Sequence, residues 1–497
     1  MAELVEVSTS LETYFAAFRQ NIIGVNTRFD TPFGTHKIVY ADWTASGRMY
    51  APIERALTEG FGQYVANTHT ETNLTGSTTT LAYHEARQII KNHVGANAQD
   101  VLLMVGSGMT AAVNKWQRIL GLRIPEQYKH MVKIPKGERP VVFITHMEHH
   151  SNQTSWIETI AEVVVIPPTA DAMVDTHSLE ILLAQYADRP LKIAAITACS
   201  NITGIQTPYH TIAGIMHRAG GYCFADFACS APYVPIDMHP AHAPDEYLDA
   251  IYFSPHKFLG GPGSAGVLVF NSSLYHLKTP DQPGGGTVKW TNPWGEHSYI
   301  DDIEAREDGG TPPFMQTIRT ALCVQLKEKM GIDNIMDREH ELVHYFLPKL
   351  KNIEGVNVLA SDTTDRLAVI SFYIKDLHYN FCVKLLNDRF GIQVRGGCSC
   401  AGTYGHYLLE VDKAYSHSIT DKIDRGDLSE KPGWVRLSLH PTSTTAELDF
   451  LLHAVQSVAK NFSYWAGDYI YNCNTNEYEP KLGQNIEKDL VRELFNW

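Results

Sequence analysis

Five apolar runs of strand length, at residues 101–105, 141–145, 192–198, 221–226 and 250–253, each break off abruptly into a polar turn. Between them lie stretches of helical period such as 111–120 and 208–219. Unbroken apolar runs belong to strands buried on both faces, and strands alternating with helices build a largely parallel sheet covered by helices. The last two runs also end in chemistry. One closes on Asp226; the other opens into Ser254, His256 and Lys257 and then a Gly-rich turn. In an open α/β sheet, groups at the carboxyl ends of neighbouring strands converge on the ligand crevice. An acid and a lysine delivered there together suit pyridoxal phosphate, which needs an amine for its Schiff base and a carboxylate to keep its ring nitrogen protonated.

Other strand ends add to this picture. The run at 101–105 opens into Gly-Ser-Gly-Met-Thr (106–110) and a helix, an arrangement whose first amides have no partner within the helix and can cradle an anion. The run at 141–145 ends in His-Met-Glu-His-His-Ser-Asn (146–152). Its histidines do not have His-Glu-x-x-His spacing, and no Cys-x-x-Cys pair occurs, so no metal site is expected. Residues 67–80 read as a polar loop, and 281–317, rich in Gly, Pro and Trp, as a long functional loop.

The formal net charge of −14 argues against a nucleic-acid binder, though not against a phosphate held by local amides. The eight cysteines are scattered, with only Cys398 and Cys400 close together. There is no basic start with an apolar signal core and no run of bilayer length, so a reducing cytoplasm is the expected compartment.

Ser-x-His-Lys before a Gly-rich turn, with Asp-x-Ala upstream (Asp226 to Ala228), resembles the fold-type I, class V aminotransferase-like family. The likeness is in particular to its group II cysteine desulfurase and selenocysteine lyase branch, and it spans roughly residues 38 to 460. The segment Asp-Trp-Thr-Ala-Ser-Gly-Arg (42–48) is similar to the family's entry loop, and Met-Glu-His-His-x-Asn (147–152) to a desulfurase signature.

The resemblance implies roles residue by residue. Lys257 would tether pyridoxal 5'-phosphate and carry protons, Asp226 would bond the ring nitrogen, and His149 would stack on the ring, with His150 and Asn152 in support. Gly108, Met109, Thr110, Ser254 and His256 would hold the phosphate, completed by Thr311 from the partner of a homodimer. Asn201, near the ring, and Arg436 would engage the substrate carboxylate, and His69 would meet substrate at the entrance. Arg395 and Cys400 reproduce the spacing of a desulfurase arginine and its loop thiol, making Cys400 the candidate nucleophile and Cys398 its rival. Two positions and one stretch depart from the family pattern: Thr70 where Arg is usual, Cys229 where Gln is usual, and Gly-Gly-Cys-Ser in the loop before Cys400.

The expected architecture is an N-terminal helical segment over 1–36 packing with the small domain and a large cofactor domain over 37–330 with a mostly parallel seven-stranded sheet. A smaller α+β domain would follow over 331–497, with an insertion near 402–432 and a polar tail. The expected reaction converts L-cysteine to L-alanine with a persulfide on Cys400, passed on to a sulfur-acceptor protein. Two alternatives stand beside it: a carbon–sulfur lyase, aminotransferase or racemase acting on another amino acid, and a non-catalytic sulfur-relay or partner-binding subunit.

Overall fold

The computed structural model describes residues 10–483 and 486–496 of the chain. It divides into two compact units, one comprising Thr44–Asn201 and Ile205–Met336, the other the residues up to Trp43, Ile202–Gly204 and those from Asp337 on.

The first unit is built on a seven-stranded sheet. Its strands are β1 (Asp100–Val105), β2 (Val141–Thr145), β3 (Glu162–Ile166), β4 (Lys192–Thr197), β5 (Tyr222–Asp226), β6 (Ala250–Phe253) and β7 (Gly266–Asn271). The spatial order is β1-β7-β6-β5-β4-β2-β3. Only β7 runs against its neighbours, so the sheet is the expected mostly parallel one. From β2 the chain moves outward to β3 and then returns to β4 on the other side. That reversal makes the β2–β4 boundary a topological switch point, the place where open α/β sheets bind ligands. Every residue of β2 and of β6 is buried, as their unbroken apolar composition requires. Helix α1 (Met109–Ile119) follows β1, and helix α2 (His150–Ile157) follows β2. Trp116 of α1 packs on Phe270 of β7 and Phe224 of β5, with ring centroids 4.4 and 5.5 Å apart, which anchors α1 over the middle of the sheet.

The second unit carries an antiparallel sheet of β8 (Val356–Val358), β9 (Val369–Ile374), β10 (Arg395–Gly397) and β11 (Trp434–Ser438), in the order β8-β9-β11-β10. Its core gathers Phe346, Phe372, Phe381, Val435 and Leu451.

Several segments differ from the sequence reading. The polar stretch 67–80 is a loop only to Asn73, whose side chain caps a helix over Leu74–His93 by accepting the Gly76 amide. Its Thr79 and Thr80 are buried with their hydroxyls bonded to backbone, so polar composition concealed a packed helix. Segment 281–317 holds a hairpin (Val288–Thr291 with His297–Tyr299) and a short helix, Ile303–Glu307, and is no single loop. A hairpin over Arg28–Lys37 precedes a two-residue strand, Val39–Tyr40, paired with Ile392–Gln393. Residues 402–432 form two helices, Gly402–Leu408 and Lys413–Asp424. After the helix Thr445–Trp465 the expected polar tail closes as a hairpin over Tyr469–Pro480.

Candidate active site

Strands β6, β5, β4 and β2 lie side by side, so their carboxyl ends present Lys257, Asp226, Asn201 and His149 in one row. Asp226 is the last residue of β5, in register with Thr197 on one side and Tyr252 on the other. Its carboxylate accepts the Ala228 amide at 2.8 Å. Burial pushes it up to about 6, and the Ala228 hydrogen bond and the charge of Lys257 both pull the other way. Lys257 closes the short turn Pro255–Lys257 after β6, half-buried. A buried acid at this strand end suits the protonated nitrogen of a pyridine ring.

The candidate phosphate end is the junction of β1 and α1. Gly108 is the N-cap of α1, in extended backbone that any residue adopts. A Cβ there would lie 3.0 Å from Ser254 Oγ and 3.6 Å from the His256 ring, so the missing side chain leaves a cradle between a helix N-terminus, a hydroxyl and an imidazole. Ser254 Oγ accepts the Met109 amide at 2.8 Å, which leaves its own hydrogen to donate outward. Burial, with Lys257 beside it, lowers His256 to about 4, so it is a neutral imidazole. Thr110 is exposed at the first turn, its hydroxyl donating to Ser151 Oγ at 2.7 Å. These residues fit pyridoxal phosphate: donors and a vacated Cβ at the anion end, an acid and a lysine at the ring end.

A cleft of about 1320 Å³ in the same unit adjoins the phosphate side, lined by Ser107, His256, Ser264 and Thr311 among others. Ser264 Oγ is buried there without a hydrogen-bond partner among the described residues. Thr311 is exposed on the loop that rims the cleft.

His149 is the N-cap of α2, and its Nδ1 accepts the Ser151 amide at 3.1 Å. In the neutral ring the proton therefore sits on Nε2. Glu148, beside it, had no role assigned from sequence, yet it joins several elements at the switch point. Its fully buried carboxylate accepts from Thr145 Oγ1 at 2.7 Å, Thr197 N at 2.8 Å and Asn152 Nδ2 at 2.8 Å. Tyr252 donates to Asn152 Oδ1 at 2.7 Å, so one network ties β2, β4, α2 and β6 together. Burial raises Glu148 to about 7, helped by the charge of Asp226. A carboxylate in a strand-end motif was the only sequence signal for this network; its partners come from other strands.

Two calls fall elsewhere in this unit. His69 is exposed, in the left-handed region at φ 66°, and its ring lies against Gly286 and within electrostatic reach of Asp308. Cys229 is buried, its thiol directed at the Ser200 carbonyl at 3.7 Å.

In the second unit, Arg395 on β10 stands directly opposite Arg436 on β11. Both pair with Asp42: Arg436 Nη2 to Oδ1 at 2.9 Å and Arg395 Nε to Oδ2 at 3.2 Å. Arg436 is buried and Arg395 half exposed. The loop after β10 places Cys398 half-buried and Cys400 exposed, with Ser399 and Cys400 both at positive φ, 48° and 59°. Consecutive left-handed residues without glycine are rare.

A model of the class-V aminotransferase family matches residues 39–451. Among curated proteins, a probable cysteine desulfurase of Halalkalibacterium halodurans is 28% identical over 368 residues, covering 73% of this chain and 84% of its own. One of Staphylococcus aureus is 27% identical over 432 residues, covering 86% and 94%. Among solved structures, a cysteine desulfurase from Thermococcus onnurineus NA1 aligns with a TM-score of 0.71 at 22% identity, over 90% of this chain and 98% of that one. The cysteine desulfurase CsdA from Escherichia coli aligns at 0.67 and 21%, over 90% and 98%. At these identities the structural matches speak for a shared fold.

Proposed function

The chain belongs to the class-V aminotransferase family of pyridoxal-phosphate enzymes, and from that premise we propose that it is a cysteine desulfurase, converting L-cysteine to L-alanine with a persulfide on Cys400. The observation that carries this reading is Cys400 itself, an exposed thiol on the loop that follows the strand of Arg395. The names of the relatives agree with it.

When bound, pyridoxal phosphate supplies the electron sink that lets charge leave the substrate α-carbon. Lys257 Nζ would hold the cofactor and move protons, while Asp226 would keep the ring nitrogen protonated by a charge-assisted hydrogen bond. Gly108, the Met109 and Thr110 amides, the Ser254 hydroxyl and neutral His256 would bind the phosphate. His149, its proton fixed on Nε2, would lie on the ring and donate from that atom. Asn201 and Arg436 would hold the substrate carboxylate, with Arg395 beside them and His69 at the entrance. The Cys400 thiolate would attack the substrate sulfur: the carbon–sulfur bond breaks, a sulfur–sulfur bond forms, and a proton goes to the carbon to give alanine. Water has no part in that exchange.

The reading extends to a cytoplasmic homodimer in which Thr311 completes the partner's phosphate site, and to a protein that takes the sulfur from Cys400. Among the described residues no helix is long and apolar enough to cross a membrane.

The deciding experiment follows alanine and sulfide from L-cysteine with wild type, Cys400→Ala and Cys398→Ala while recording cofactor absorbance. Alanine production that stops only in Cys400→Ala supports the reading. Turnover that survives both substitutions on a loaded enzyme removes the persulfide step, and pyruvate in place of alanine makes the protein a lyase.

A further inference from the structure

Cys398 and Cys400 sit on an excursion between two paired strands. β10 ends at Gly397 and β11 starts at Trp434, its partner in register, so residues 398–432 leave the sheet and return to it through one neck. The helices Gly402–Leu408 and Lys413–Asp424 belong to the same excursion. Both sides of the neck rest on one ring, that of Tyr379, the first residue of the helix Tyr379–Phe390. A Cβ at Gly433 would lie 2.6 Å from Tyr379 Cε1. One at Gly396 would lie 2.7 Å from Asn380 Oδ1 and 3.1 Å from Tyr379 Cδ2. Neither position has room for a side chain while the ring stays where it is. The Cys398 thiol lies within electrostatic reach of the Tyr379 hydroxyl.

The ring is held in turn from the far end of the chain. Asn476, in the turn of the hairpin Tyr469–Pro480, is 6% exposed and left-handed at φ 59°. Its side-chain amide donates to the Tyr379 hydroxyl oxygen at 2.7 Å. Its Oδ1 accepts from the Tyr471 hydroxyl at 3.0 Å, and its carbonyl accepts from Asn380 Nδ2 at 2.6 Å. Buried polar groups bonded on every side hold a single geometry. The same hairpin also fixes the returning limb of the excursion, because the Cys473 carbonyl accepts the Leu428 amide at 3.1 Å. It lies beyond residues 39–451, over which the chain matches its family.

We propose that Tyr379 is a positioning residue for the Cys400 thiol, and that the hairpin Tyr469–Pro480 fixes it in that role through Asn476. The inference rests on the reading of Cys400 as the nucleophile. It adds a brace on the neck of the excursion, which sets where the thiol stands when sulfur is transferred. A thiol that must meet a substrate sulfur in line loses rate for a small displacement, so the brace acts on turnover and not on substrate affinity.

The test compares the pyridoxal-phosphate-loaded enzyme in wild type, Tyr379→Phe, Asn476→Gly and the double variant. Tyr379→Phe keeps the ring and loses the acceptor; Asn476→Gly keeps the left-handed backbone and loses the donor. Each should lower kcat for alanine production from L-cysteine by at least about fivefold, with KM and the cofactor absorbance nearly unchanged. The double variant should lose little more than the worse single one, because both changes remove the same bond. Amide hydrogen exchange over residues 396–401 should quicken by at least about fivefold in each variant. Tyr379→Phe, which takes one oxygen from a buried ring, serves alone if Asn476→Gly does not fold. Cys400→Ala runs alongside: if it makes alanine as wild type does, the nucleophile reading has failed and the proposal with it. If Cys400→Ala is inactive, an unchanged kcat or unchanged exchange in the Tyr379 and Asn476 variants overturns the positioning role and leaves Cys400 as the nucleophile.

Discussion

Burial raises Asp226 from its ordinary 3.8 to about 6, against the pull of the Ala228 amide and Lys257. An acid raised in the folded state binds its proton more tightly there than in the unfolded chain. Its stabilisation is therefore fully present below pH 3.8 and is lost as pH rises through about 6. In the cofactor-free protein, Asp226→Asn removes that loss, so the melting temperature of the variant should gain on wild type as pH goes from 4 to 7. The difference between the two proteins is the quantity to measure, because His93 and His440, lowered by burial, impose the opposite slope on both. Loaded protein should show the reverse ranking if Asp226 is the partner of the ring nitrogen. Equal pH dependence in the two cofactor-free proteins would show that Asp226 titrates normally. Glu148 invites a second substitution. Glu148→Gln keeps one acceptor oxygen but sets an amide NH2 in place of the other, against either the Asn152 donor or the Thr145 and Thr197 donors, at an expected loss of about 1–3 kcal/mol in chemical denaturation. A change below about 0.5 kcal/mol would mean that the network is not what holds the strand ends.

At the scale of the element, the N-terminus of α1 shows why glycine stands at 108. The backbone there is extended, so alanine meets no conformational penalty, but its methyl would enter the space between Ser254 and His256. Gly108→Ala should therefore leave the cofactor-free melting temperature nearly unchanged and weaken pyridoxal-phosphate affinity by at least about tenfold, measured by fluorescence titration. Unchanged affinity would place the phosphate elsewhere. The same scale explains what sequence reading found and missed. Strands β1, β2, β4, β5 and β6 were legible because burial on both faces forces unbroken apolar runs. The helix at Leu74–His93 was hidden at its start because Thr79 and Thr80 satisfy their hydroxyls on neighbouring backbone, allowing threonine to be buried where apolar residues are expected. The hairpin within 281–317 was hidden because its strands are short and largely exposed, without the alternation that marks a half-buried strand.

For the whole molecule, the proposed dimer makes a complementation test possible. If Thr311 serves the partner's phosphate site while Lys257 serves its own, mixing unfolded Lys257→Ala and Thr311→Ala chains and refolding them together should give hybrid dimers with one intact site. About a quarter of all sites would then recover full cofactor affinity. No recovery on mixing would place Thr311 and Lys257 in the same chain's site. What the amino-acid order determined by itself was the sheet and the chemistry at its strand ends. Apolar runs, their polar stops, and the pairing of Asp226 with Ser254, His256 and Lys257 are patterns contained within a few neighbouring residues. Only the tertiary structure brought Asp42 to Arg436, 394 positions away, and Glu148 to Thr197, 49 away. A buried charge is stable only beside its partner, and which side chains become partners is set by the packing of strands, not by the residues that adjoin them in the chain.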